Sequence, residues 1–160
     1  GKVVTGAHRA AGEIGYNVRD VSDVEAPLSQ RITLEDVVSG KALAAIASAE
    51  LGRPTTTTQL FEQAASDPKA AALVDEFVRE LAMHVVNLAV AVDPARIVVG
   101  GGMVRSWARL APGLRRALDA AVPFPPELVT AEFPFDAPLI GALALGVAAA
   151  GAVLGEEALA

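Results

Sequence analysis

The chain has 160 residues, of which 52% are hydrophobic and 20% charged, with a formal net charge of −6. It is long enough to bury a core and too apolar for intrinsic disorder, while an acidic balance argues against the chain itself gripping nucleic acid, which needs clustered Lys and Arg. The absence of cysteine excludes disulfides and thiolate metal sites.

Apolarity comes from Ala, Val and Leu rather than aromatics, which are only 4% of residues; such a composition favours closely packed helices. No stretch has the charged head and apolar run of a signal peptide, and the most apolar segment, residues 137–154, is interrupted by Pro138, Gly141 and Gly146. A cytoplasmic protein without a membrane partner is therefore expected.

In chain order, Lys2-Val3-Val4-Thr5 suits a strand and Gly6 a turn, and no initiating Met precedes them. The chain is expected to be a piece of something longer. Glu13, between Gly12 and Gly15, is the first candidate site residue, since small neighbours let a ligand reach a carboxylate on a short turn; a solvated turn carboxylate is the plainer reading. Residues 18–31 read as a polar surface loop. Thr33 and Asp36 fit a capping box at a helix start, with the helix running on through residues 42–51 to Gly52. Glu35 falls in its first turn, where the helix dipole alone could account for a carboxylate.

The hydroxyl run at residues 55–58 offers caps for a helix over residues 59–65, and Asp67-Pro68 starts the longest helix. There Leu73, Phe77, Leu81, Val85, Leu88 and Val92 form an apolar stripe that Val74, Val78, Ala82 and Val86 widen, with Asp75, Glu76, Arg79 and Glu80 on the wet face. His84, near the stripe's border, reads as a hydrogen-bonded structural histidine, because no second His or Cys lies at metal-ligand spacing. The helix ends at Asp93-Pro94, and Ile97-Val98-Val99 is a short β-branched run leading into Gly100-Gly101-Gly102. Three glycines after a buried strand and before a helix allow close approach of a phosphate or nucleotide to backbone N–H groups, although plain strand-to-helix geometry is the commoner reason for such a turn. A helix with Leu110, Leu114, Leu118 and Val122 four apart follows, with Arg105, Arg109, Arg115 and Arg116 as its solvated face. Residues 123–126 stop it, residues 128–133 alternate as a second strand, and Asp136 opens a helix of small residues to Gly151. The strands near Val3, Val98 and Val129 are expected to share one sheet in an α/β domain.

Ala11-Gly12-Glu13-Ile14-Gly15, Leu34-Glu35 followed by Ser39-Gly40, the Asp93-Pro94 strand with its three glycines, and Leu139-Ile140-Gly141-Ala142 occur in an order that resembles the ROK family of repressors, open-reading-frame kinases and sugar kinases. The resemblance covers residues 1–150 and implies the actin-like, hexokinase-type ATPase fold with its ribonuclease H-like motif. It also implies that residues 1–160 are the C-terminal lobe only, with the N-terminal lobe and any helix-turn-helix lying outside this chain. By the same likeness, Glu13 and Glu35 match the family's sugar-binding glutamates, and Gly100, Gly101 and Gly102 match the loop that passes the adenosine in the kinases. Two positions depart from the family. Its motif histidine, which contacts sugar and holds zinc, is Tyr16 here, and its cysteine-rich zinc segment is replaced by residues 18–32. A phenol can still hydrogen-bond a sugar but is a poor zinc ligand, so Tyr16 joins Glu13 and Glu35 as a sugar-site residue and no metal is expected.

These departures favour the sugar-sensing domain of a ROK transcriptional regulator, a dimer that meets DNA through a separate N-terminal domain; the alternative is the C-terminal half of an ATP-dependent, glucokinase-like sugar kinase. No catalytic residue and no cofactor are expected within residues 1–160, with ATP and Mg²⁺ bound only if the full-length protein is a kinase. Residues 1–160 alone are expected to turn over no ATP, to present an apolar face and to self-associate.

Overall fold

The computed structural model describes residues 2–157. Its spine is α4, Pro68–Val92, which Asp67 caps by accepting from the backbone N–H groups of Lys69 (2.8 Å) and Ala70 (3.4 Å). Pro68 follows at the first helical position, where a missing N–H costs nothing. Against α4 pack α1 (Glu35–Val38), α2 (Gly40–Leu51), α3 (Thr57–Gln63) and α5 (Trp107–Ala121). Leu43, Leu60, Phe61, Phe77, Leu110, Leu114 and Leu118 fill the space between them. Each such side chain contributes about 1.5–3 kcal/mol by leaving water.

Only two strands form among the described residues, β1 (Arg96–Val99) and β2 (Glu127–Thr130), paired in parallel with Ile97 beside Leu128 and Val98 beside Val129. Parallel neighbours need a crossover, and here the crossover is a 3-10 turn, Gly102–Ser106, followed by α5. Arg96 and Glu127 close the start of the ladder with a 2.6 Å ion pair. The last element, α6 (Ala137–Glu157), lies exposed through residue 151, the last whose side chain is described.

Four expectations change. Lys2–Thr5 forms no strand: Val3 is 87% exposed, and no described strand lies beside it to complete a ladder. The helix from Thr33 to Gly52 is two helices, because Ser39 turns extended (φ −100, ψ 158) and caps α2 by accepting from the Ala42 N–H at 3.1 Å. The stripe of α4 is rotated, so that Ala70, Val74, Phe77, Val78, Ala82 and Ala89 are buried while Leu73, Leu81 and Val85 flank them and Val92 is exposed. Small side chains at the centre let neighbouring helices approach. His84 is buried at 1% exposure as expected of a structural residue, yet neither ring nitrogen has a hydrogen-bond partner among the described residues. The helical caps at Thr56 and Gly52, the stop after α5 and the buried run Leu110, Leu114, Leu118 and Val122 stand as expected.

Candidate functional site

Glu13, Gly15, Tyr16, Thr33 and Glu35 line one small cleft of about 90 Å³. Two stretches of chain separated by the 18–32 loop make its walls. On the first, the chain enters a 3-10 turn, Ile14–Tyr16, whose leading residue Glu13 folds its carboxylate back so that Oε1 accepts from the Gly15 N–H at 2.8 Å. A Cβ on Gly15 would sit 2.7 Å from that same oxygen. Glycine is therefore what allows the hook. On the second wall, the backbone N–H and hydroxyl of Thr33 both donate to Asp36 Oδ2 at 2.8 Å, fixing the start of α1 and placing Glu35 in its first turn. The Thr33 hydroxyl, followed by its N–H, holds the Asp36 carboxyl below its ordinary value. The Leu34 N–H donates to Gly15 O at 2.9 Å and staples the two walls together.

Thus all three residues expected to bind sugar, Glu13, Tyr16 and Glu35, come together, and sequence reasoning missed the two that complete the cleft. The sequence marks Thr33 as a helix cap and Gly15 as a small neighbour that opens access to Glu13; a hydroxyl two residues before the second carboxylate is the available signal for Thr33. The Glu35 carboxylate makes no hydrogen bond among the described residues, and that of Glu13 engages only Oε1. Carboxylate oxygens accept from hydroxyls, while a phenol and a threonine hydroxyl can both donate and accept. Such a set suits a ligand with adjacent hydroxyl groups. Neither histidine lines the cleft, and among the described residues no group of three or more His, Asp or Glu is placed to hold a metal ion.

The glycines lie elsewhere, at the carboxyl end of β1, where open α/β sheets bind ligands. Of the three, only Gly101 is forced to be glycine by its backbone, at φ 88 and ψ −180. Its N–H donates to Pro134 O at 2.6 Å, so that donor serves the turn itself. Gly100, Gly101 and Gly102 are exposed, and a Cβ on Gly102 would meet nothing within 4 Å. Arg105 stacks over the Phe135 ring at 4.2 Å beside this turn, a cation–π contact.

The fold is mixed α/β and is that of about half of an actin-like ATPase domain. The chain belongs to the ROK family, whose sequence pattern matches residues 1–148. An N-acetylmannosamine kinase of Haemophilus influenzae is 30% identical over 139 residues, 86% of this chain and 46% of that kinase. The crystal structure of a ROK hexokinase from Thermus thermophilus superposes with a TM-score of 0.70 at 30% identity, over 88% of this chain and 49% of that one. A ROK family transcriptional regulator, a homolog of the E. coli MLC protein, shares the fold at a TM-score of 0.65 and 22% identity, over 81% of this chain and 36% of that one. The chain spans about half the length of the curated relatives it matches, and no helix among the described residues is long and apolar enough to cross a membrane.

Proposed function

We propose that this chain is the sugar-holding C-terminal half of a ROK protein, with Glu13 and Glu35 accepting hydrogen bonds from vicinal sugar hydroxyls and Tyr16 and Thr33 completing the rim. The observation that carries this reading is the meeting of those side chains in one cleft across an 18–32 loop. At about 90 Å³ the cleft is well below the roughly 300 Å³ at which small-molecule pockets begin. It takes one edge of a sugar, and the remaining half of the full-length protein closes over the other edge.

Two outputs fit a bound sugar. Phosphorylation is supported by the 30% identity to an N-acetylmannosamine kinase, and Gly100–Gly102 would then pass the adenosine of ATP. Sensing without phosphoryl transfer is supported by Tyr16 and the cysteine-free loop 18–32, and the protein would then act on DNA through a separate N-terminal domain, with sugar shifting the affinity. Calorimetry of the full-length protein against glucose, N-acetylglucosamine and N-acetylmannosamine tests the shared claim, which requires saturable binding of at least one and fails if none binds. Release of ADP with the bound sugar assigns the kinase output; binding without ADP release assigns the sensor.

A further inference from the structure

The Glu13–Tyr16 wall contributes no buried side chain to the core. Its counterpart is better anchored, because Val38 of α1 packs against the core cluster. The loop between the walls is also poorly rooted: Val18, Val21, Val24, Leu28 and Ile32 are all exposed. Its internal bonds close it on itself, with Asp20 and Asp23 forming a capping box and Arg31 donating to the carbonyls of Ala26 and Val24. Among the described residues, one side-chain hydrogen bond leaves this loop. Arg19, three residues after Tyr16, donates through Nε to Glu80 Oε1 at 2.7 Å, with Nη2 at 2.5 Å from the same oxygen. The two side chains are only 22% and 26% exposed, and Glu80 stands on α4, the most firmly packed element. Arg19 and Glu80 both line a cavity of about 470 Å³, whose wall also carries Leu43, Phe77 and two further carboxylates, Glu50 and Glu76.

We propose that Arg19 and Glu80 are positioning residues for the cleft, a strut that fixes the Glu13–Tyr16 wall to α4 at the distance set by α1 for Glu35. The inference rests on the sugar-binding reading of that cleft. An ion pair a quarter exposed is less screened than a surface pair. A guanidinium holding a carboxylate through two donors also fixes direction, which a lysine in the same place would not.

The test uses the full-length protein and a sugar that binds it. Arg19→Ala and Glu80→Gln should each weaken sugar affinity about fivefold, while R19E/E80R should recover part of the loss. Hydrogen exchange should quicken in residues 13–35 of Arg19→Ala and stay unchanged in the middle of α4 and α5, which separates local positioning from general destabilisation. Should Arg19→Ala fold poorly, Arg19→Lys carries the same expectation in smaller measure, beside the fivefold loss in Glu80→Gln. Unchanged affinity in the Arg19 and Glu80 variants, alongside a loss in Glu13→Gln, overturns the strut and leaves the sugar site standing. Unchanged affinity in Glu13→Gln as well overturns the sugar site, and the positioning role with it.

Discussion

At Gly15 the room a Cβ would need is already taken by Glu13 Oε1, 2.7 Å away. Because that atom ends a flexible side chain, Gly15→Ala is expected to push the carboxylate aside at little cost in stability. Sugar affinity of the full-length protein should therefore drop while its melting temperature stays within a degree or two; the reverse pattern, intact affinity and a lower melting temperature, would show that Gly15 serves the turn and not the carboxylate. His84 poses the opposite problem, a polar ring inside the core with neither nitrogen hydrogen-bonded among the described residues and Glu80 Oε1 3.8 Å from Nε2. Burial lowers its pKa from 6.5, with Glu80 opposing and Arg19 adding to the effect. The unfolded chain then binds a proton that the folded chain refuses, so stability present above about pH 6.5 is lost as pH falls toward the folded value. Asp20 and Asp36, held below 3.8 by hydrogen bonds from Ser22 and Thr33, act only in a more acidic range. Urea unfolding at about pH 7.5 and pH 5 should show a lower midpoint at the acidic pH, and His84→Met should shrink that difference; an equal drop in both proteins would assign the effect to other groups.

Between elements, α4 and α5 leave no room for a side chain at Gly113, where a Cβ would come 2.4 Å from Val78 Cγ1. A branched side chain seated in the core cannot swing clear, so Gly113→Ala should force the helices apart and cost about 1–3 kcal/mol, read as a fall in the urea midpoint; an unchanged midpoint would mean the two helices slide freely. That contact also explains which parts of the fold were legible in the sequence. Caps such as Asp67, Thr56 and Gly52 act within four residues of themselves, and Leu110, Leu114 and Leu118 repeat within one helix, so local pattern suffices for both. The face of α4 is decided by a partner 35 residues further on, and apolar size misleads there, since Val78 and the alanines are buried where helices come nearest. The proposed strand at Lys2–Thr5 needed a neighbour to pair with, which composition cannot supply. For the cleft, Glu13, Tyr16 and Glu35 were visible through motif likeness, whereas Arg19 and Glu80, 61 positions apart, looked like a loop residue and a solvated one because an ion pair at that separation leaves no periodicity.

On the scale of the whole molecule, the sheet and α6 are open. Parallel sheets are ordinarily covered on both faces, yet Val98 is 57% exposed, and Leu139, Leu143, Leu145 and Val147 along α6 face solvent. An apolar face is what the sequence leads one to expect, and exposed contiguous apolar surface favours association. Residues 1–160 on their own should accordingly self-associate, with a sedimentation coefficient that rises with concentration; a single monomeric boundary at high concentration would contradict this. The proposal that Glu13 and Glu35 hold a sugar is put to the full-length protein, since this chain spans about half the length of its curated relatives. Calorimetry of full-length wild type, Glu13→Gln and Glu35→Gln with the same sugar tests it most directly: each variant should lose roughly 1–3 kcal/mol of binding free energy, the range for a hydrogen bond to a charged group, and one affinity shared by all three proteins would contradict the account.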